Sequence, residues 1–245
     1  MQDEPMKNNI PTPSLLSEQI AYYRERASEY DEWFLRLGRY DHGAEQNRRW
    51  FAEVEQVRQA LAQFAPTGQV LELAGGTGWW TQELARYADS LTVVDSSLET
   101  MAISNARLTR ANARAIPVRY VEADLFSWQP DRQYDVVFFS FWLSHVPPER
   151  FVSFWDLVRS CLAPNGRVFF VDSRYSQTGT AADQQLEGEQ ATTMERRLND
   201  GRTFRIVKVF YRPDDLQARL AELGWGAQIE TTPTFFLYGQ ATRRG

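Results

Sequence analysis

The chain has 245 residues, 43% of them apolar and 13% aromatic, and a net charge of −5. That length suits one α/β domain with an embellishment, and the apolar fraction suffices to bury its core. The acidic balance and the lack of a Lys/Arg run argue against a nucleic-acid substrate and leave a protein substrate open.

Cys161 is the single cysteine, so no internal disulfide forms, and its apolar helical context is that of a buried structural thiol. The polar N-terminus does not read as a signal peptide, and no apolar run approaches the length of a membrane span. The expectation is a cytoplasmic protein that works away from membranes as a monomer or homodimer.

Residues 1–13 are polar and proline-containing and read as a disordered tail. From there an apolar stripe, Leu16, Ile20, Tyr23, Ala27, Tyr30, Phe34 and Leu37, alternates spacings of 4 and 3 and predicts one helix of about six turns. A second helix is expected over Ala44–Phe64, so residues 14–64 form an N-terminal helical cap. Residues 65–245 then alternate strand and helix as an α/β core. Its predicted helices are Trp79–Tyr87, Leu98–Ala113 and Glu149–Leu162. Right-handed crossovers impose a doubly wound sheet, whose ligands bind beyond the carboxyl ends of the strands.

The stretch Val70-Leu71-Glu72-Leu73-Ala74-Gly75-Gly76-Thr77-Gly78 is the most informative in the chain. An apolar run ending in a glycine-rich turn and a helix presents free N–H groups and a positive dipole end to a ligand. A dinucleotide fingerprint needs a third glycine where this chain has Thr81, and no Gly-Lys-Ser/Thr follows for a P-loop. Glu72, inside the strand, suits a cationic ligand better than a pyrophosphate. The next strand, Leu91–Val94, ends in Asp95, placed to accept both hydroxyls of a ribose. A third, Val118–Val121, leads into Glu122-Ala123-Asp124-Leu125, where Asp124 is placed to accept from an adenine amine and the Leu125 N–H to donate to the ring. The fourth, Tyr134–Phe141, reads as buried.

These motifs, with VVDSS, VEADL and YDVVFFSF in order after the glycine turn and the later Leu162–Val171 turn and strand, resemble those of class I S-adenosylmethionine-dependent methyltransferases. The likeness spans roughly residues 65 to 175. One departure is Ala74, where the family usually has the first glycine. The resemblance implies a seven-stranded, mostly parallel sheet with an antiparallel last strand, helices on both faces and an N-terminal helical lid. It implies S-adenosylmethionine as cofactor, held by Tyr30, Glu72, Ala74, Gly75, Gly76, Thr77, Gly78, Trp80, Asp95, Ser96, Met101, Asp124, Leu125, Phe126, Ser140 and Phe141. Glu72 would hold the amino group, directly or through water. Of Trp79 and Trp80, one is expected on the sheet and one towards the cofactor.

His145, in Ser144-His145-Val146-Pro147 after the fourth strand, resembles a segment beside the substrate pocket of quinone-biosynthesis methyltransferases and is the candidate base; the alternative is a histidine that only lines the pocket. Tyr23, Trp33, Trp142, Arg174 and Tyr211 are the candidate substrate contacts, with Lys208 weaker. Tyr22–Asp31 resembles the family's Tyr-x6-Tyr-Asp lead-in. His42 reads as a surface or capping residue.

Residues 174–211 interrupt the core rhythm as a lid-like insertion, with a helix expected over Ala182–Leu198 and a strand over Thr203–Tyr211. A helix over Pro213–Leu223 and an antiparallel pair, Trp225–Thr231 and Thr234–Ala241, complete the chain. No His/Cys cluster has zinc spacing, so no metal is expected. The implied activity is methyl transfer to a small, aromatic or planar acceptor, first at oxygen, then nitrogen or carbon. The rivals are a protein methyltransferase, a nicotinamide-dependent oxidoreductase and a non-catalytic partner subunit.

Overall fold

A computed structural model describes residues 14–111 and 115–244. The expected tail and the last residues of the Leu98–Ala113 helix lie outside the described residues. The elements are α1 (Leu15–Glu25), α2 (Tyr30–Leu35), α3 (Ala44–Phe64), β1 (Gln69–Leu73), α4 (Trp79–Leu84), β2 (Ser90–Asp95), α5 (Leu98–Arg110), β3 (Val118–Glu122), β4 (Tyr134–Ser140), α6 (Phe151–Cys161), β5 (Leu162–Ser173), β6 (Thr193–Arg197), β7 (Thr203–Val207), α7 (Pro213–Glu222), β8 (Trp225–Thr231) and β9 (Phe236–Arg243).

The main sheet has seven strands in the order β3-β2-β1-β4-β5-β9-β8. Strands β1 to β5 pair in parallel, and β9 runs antiparallel to both β5 and β8. The order reverses between β1 and β4, which opens a crevice at their carboxyl ends. Ala74, Asp95, Ala123, Ser140 and Asp172 all fall along that edge.

Both faces of the sheet are covered, so its central strands are apolar at successive positions rather than alternate ones. In β4, Val137 and Phe139 pack on the side of α6 and α7, while Val136 and Phe138 pack on the side of α3. The alternation continues into β5, where Phe139 stacks on Phe170 at 5.4 Å and Phe138 on Phe169 at 6.2 Å. Each buried phenylalanine contributes on the order of 2–3 kcal/mol relative to exposure.

The cap departs from its sequence pattern. The stripe from Leu16 to Leu37 is broken at Arg26–Glu29 into α1 and α2, and Leu37 is exposed. The most enclosed positions of α1 are Gln19 and Tyr22, while Leu16 and Ile20 line a cleft. The apolar stripe faces a cleft as much as the core, which periodicity alone does not distinguish.

The insertion also departs. No helix forms over Ala182–Leu198; the segment has a turn at Gln177–Gly179 and then the β6–β7 hairpin. Asn199-Asp200-Gly201 makes its turn, with Gly201 at φ 93° and Leu198 N–H bonded to Arg202 O at 2.9 Å. That turn sequence is a hairpin signal that the helical reading overlooked.

Cap and insertion are joined by polar contacts. Gln19 accepts from Val207 N–H at 2.9 Å and donates to His145 O at 3.2 Å. Trp33 donates to Gly179 O at 3.0 Å, and His42 Nε2 meets Thr180 O at 2.8 Å. His42 is therefore a cap-to-insertion contact.

On the opposite side of the cap, Glu53 of α3 is buried and accepts from Thr232 Oγ1, Thr234 N and Phe235 N in the β8–β9 connection. Glu53→Ala strands these donors. It is expected to cost about 3 kcal/mol, which lowers the melting temperature by about 6–12 °C in a chain of this size; a shift under 2 °C in a thermal melt would count against this account.

Candidate active site

The turn between β1 and α4 is shaped more by the protein's own packing than by a ligand. A Cβ on Gly75 would lie 2.4 Å from Val93 Cγ1, and one on Gly78 would lie 2.7 Å from the Ser104 Cα. These two glycines let β2 and α5 approach. Only Gly76, at φ 53°, has nothing within 4 Å and opens towards a cleft. Ala74 takes a left-handed conformation, φ 54°, which costs an alanine about 1–2 kcal/mol.

A cleft of about 750 Å³ lies over this turn, lined from the core by Ala74, Gly76, Asp95, Ser96, Thr100, Ala123–Phe126, Ser140, Phe141 and Trp142, and from the cap by Leu16, Gln19, Ile20, Tyr23 and Tyr30. Asp95 anchors it. Its Oδ2 accepts from Gly76 N–H at 2.9 Å and its Oδ1 from Ser97 N–H at 2.9 Å. Thr100 Oγ1 also donates to Oδ1, at 3.3 Å; with two lone-pair sites on each carboxylate oxygen, it is Oδ2 that keeps capacity for a ligand hydroxyl. Burial raises the Asp95 pKa, and the backbone bonds from Gly76 and Ser97 oppose that rise. Asp124 is exposed at the cleft and accepts from Phe126 N–H at 3.0 Å.

Several expected contacts lie elsewhere. Glu72 is fully buried below the turn and outside the cleft lining, with Oε2 accepting from Thr81 Oγ1 at 2.6 Å and Oε1 unpartnered. Burial pushes its pKa up to about 8, the Thr81 bond opposes the rise, and the Asp95 charge adds to it. Gly75 and Gly78 serve packing. Thr77 is turned away to Asp31. Trp80 packs in the core near Phe138, and Trp79 stacks on Phe34, so neither tryptophan lines the cleft. Met101 is buried outside it. The apolar interior claims these large side chains, a fate the motif does not encode.

A second cleft, about 610 Å³, adjoins the first between cap, core edge and insertion. Tyr23, Tyr30, Phe141 and His145 line both clefts and form their common wall. Phe141 is left-handed, φ 52°, and its ring meets Trp33 edge-on at 4.7 Å. The second cleft is lined by four cationic side chains, Arg26, Arg174, Arg196 and Lys208, and by no carboxylate among the described residues.

Arg26 is only 8% exposed, lies 4.9 Å from the Tyr30 ring centroid, and donates to Tyr40 OH at 3.1 Å. Arg196 donates to Thr180 Oγ1 and Gln184 Oε1. Neither pairs with a carboxylate among the described residues. Arg174 is held by Thr232 O and Pro233 O. Lys208 donates to Ser144 Oγ at 2.8 Å and stands 3.7 Å from Asp172. Burial lowers its pKa to about 8, against the pull of Asp172.

His145 is buried with both ring nitrogens engaged. Nδ1 donates to Val207 O at 2.7 Å, which leaves Nε2 to accept from Tyr23 OH at 2.7 Å. Burial, then the nearby Lys208 charge, holds its pKa well below the usual histidine range.

Of the candidate substrate contacts, Tyr23, Trp33 and Arg174 line the second cleft. Trp142 lines the first cleft instead, and Tyr211 lines neither, packing beside Phe151. The sequence reading missed Arg26, Arg196 and the cap residues Leu16, Gln19 and Ile20. For Arg26 a signal existed: a charge inside an otherwise apolar and aromatic helix face.

A family profile described as a methyltransferase domain matches residues 70–166. The structure of a DhpI–SAH complex is 38% identical over 96% of this chain and 99% of its own, with a TM-score of 0.72. A DhpI–SAM–HEP complex is 40% identical over 94% of this chain and 100% of its own, TM-score 0.72. An S-adenosylmethionine-dependent methyltransferase from Clostridium acetobutylicum, 16% identical over 91% of this chain and 100% of its own with a TM-score of 0.61, shares the fold. No curated protein matches the chain.

The Glu72 geometry yields a pH prediction. Its folded pKa lies above the unfolded one, so the folded state holds the extra proton and stability falls as pH rises from about 4.5 towards 8. Glu72→Gln is expected to melt about 5 °C above wild type at pH 9, with the gap closing below pH 5. A gap that does not change with pH would show that Glu72 is not the titrating group.

Proposed function

The chain belongs to the class I S-adenosylmethionine-dependent methyltransferases, and from that premise we propose that it methylates a small, anionic acceptor at oxygen. The observation that carries the reading is the joining of two clefts, one ending in carboxylates and the other in guanidinium and ammonium groups, across the wall of Tyr23, Tyr30, Phe141 and His145.

The first cleft fits the cofactor. The space over Gly76 is open, and Asp95 Oδ2, which accepts one bond from Gly76 N–H, retains a lone pair for a ribose hydroxyl. Asp124 with Leu125 would take the adenine, and Ser140 and Phe141 the methionine end. The aromatic faces of Tyr23, Tyr30 and Phe141 favour a cation at the shared wall. S-adenosylmethionine supplies, when bound, an electrophilic methyl group on a sulfonium.

The second cleft would hold the acceptor. Arg26, Arg196 and Lys208 supply charge-assisted hydrogen bonds that fix an oxyanion and aim one oxygen through the wall. An ionised oxygen already carries its nucleophilic lone pair, so no proton need be removed and positioning does most of the work. His145 then has no proton to take: neutral, with Nε2 occupied, it orients Tyr23. Trp33 and Phe210 leave room for a planar part of the acceptor, but the cations are the stronger selector. The DhpI–SAM–HEP complex supports a ternary arrangement of this kind. The enclosure of the second cleft by cap and insertion favours a small molecule over a polypeptide.

Calorimetric titration tests the cofactor reading: S-adenosylmethionine is expected to bind wild type in the micromolar range and Asp95→Ala at least a hundredfold more weakly. Equal binding by the two proteins would refute the Asp95 assignment. An acceptor screen of carboxylates and phosphate monoesters against phenols and amines tests the rest, and turnover confined to neutral amines would overturn it.

The charged form of Lys208 exists below about pH 8 and is lost above it. Acceptor KM is therefore expected to rise about tenfold between pH 7 and 9.5 in wild type and to stay flat in Lys208→Met. No limb in kcat near pH 6.5 is expected, because His145 stays neutral there.

A further inference from the structure

The residue after Tyr30 makes contacts that methyl transfer leaves unused. Asp31 Oδ1 accepts from Thr77 Oγ1 at 2.7 Å and from Trp79 Nε1 at 2.9 Å, and its Oδ2 accepts from Arg107 Nη2. Arg107, on α5, closes the network. Its Nε donates to Thr77 O at 2.9 Å, and its guanidinium lies 3.8 Å from the Trp79 ring centroid. Phe34 of α2 stacks on the same tryptophan at 4.6 Å. Thr77 is 1% exposed, so its hydroxyl and its carbonyl both go to this network and not to a ligand.

The placement is specific. Asp31 follows Tyr30, which lines both clefts; Thr77 follows Gly76, the open glycine of the turn. Asp31 and Arg107 line neither cleft. One carboxylate therefore ties the cap to the glycine turn at adjacent residues that face the same cavity from two sides. The pair is partly shielded from water, with side chains 32% and 17% exposed, and its bonds are charge-assisted. On the core side, Gly76 N–H is held by Asp95, so the turn is fixed from both directions and gives little if the outer brace is kept.

We propose that Asp31 is a positioning residue for the cofactor: with Arg107 it sets the gap between Tyr30 and Gly76, and so cofactor affinity, without touching cofactor or acceptor. This rests on the cofactor reading above. A 1 Å error in such a gap is enough to forfeit much of the binding or rate a site achieves.

The test is calorimetric titration of S-adenosylhomocysteine into wild type, Asp31→Asn, Arg107→Lys and the double variant, alongside ligand-free thermal melts. Asp31→Asn keeps the shape and sets an amide N–H against Arg107; Arg107→Lys keeps the charge and loses the Nε bond to Thr77. Each single variant is expected to weaken binding about tenfold with less than about 3 °C loss in melting temperature, and the double variant to be no weaker than the worse single, since one network is lost once. A brace that serves the fold alone would lower the melting temperature and leave the affinity of the folded protein at the wild-type value, and that result overturns the proposal. So do additive losses in the double variant. Failure of wild type itself to bind sinks the cofactor reading and the brace with it, whereas wild-type binding with an unchanged Asp31→Asn sinks the brace alone.

Discussion

The left-handed turn from Ala74 to Gly78 is the constraint around which the rest is arranged. Its path is not free to adapt to a ligand, because Val93 and Ser104 leave no room for a side chain at Gly75 or Gly78. The turn is thus set by strand–helix packing, and Asp95 adds a bond from the cleft side. Everything that must be placed relative to a cofactor, the ends of β2, β3 and β4, is placed relative to this turn through the parallel register of the sheet. A core this densely packed transmits position rather than absorbing error.

The cap and the insertion are far apart in sequence and behave as one cover. Val207 shows why. Its N–H is taken by Gln19 and its carbonyl by His145, while Gln19 donates to the His145 carbonyl and Tyr23 donates to the His145 ring. Gln19, His145 and Val207, from three segments, close one hydrogen-bonded ring, and Tyr23 is attached to it through the histidine. The three bonds of the ring are buried, so removing one member strands the groups it satisfied. That accounts for a histidine whose nitrogens are both occupied, at the position where the sequence offers either a candidate base or a residue that only lines the pocket.

Much of the core was legible because its signals are local. An apolar run, a glycine turn and a carboxylate at a strand end are read from a few consecutive residues, and the doubly wound form of the sheet follows from right-handed crossovers. The bounds of α3, expected over Ala44–Phe64, agree with the structure. The cover was read poorly because its elements are decided by partners elsewhere in the chain. The α1 stripe faces a cleft; the hairpin strand β6 alternates Met194 inward and Glu195 outward over too few residues to outweigh a helical reading. Within the site, Glu72, Trp80 and Met101 satisfy the motif and serve the core, since a motif records residue type and not the direction in which a side chain leaves the backbone. Arg196 belongs to no motif and Arg26 fills an unspecified position of the Tyr22–Asp31 stretch; what sets them apart is that no carboxylate among the described residues lines their cleft, which only three dimensions display.

On the proposed reading, the charge arrangement gives the two clefts opposite tasks. Asp95 and Asp124 make the first hospitable to a ligand with hydroxyl and amine donors and a positive sulfur. The guanidinium groups of Arg26 and Arg196 make the second hostile to that same ligand, so a cationic cofactor is discouraged from sliding past the wall. An anionic acceptor experiences the converse. On the proposed reading, attack of the anion on the sulfonium neutralises both charges as the bond forms. The neutral thioether and the ester product, with one negative charge fewer, then each lose part of the electrostatic attraction that held the reactants. Such a site binds reactants more firmly than products, and the cations of the second cleft serve release as much as capture.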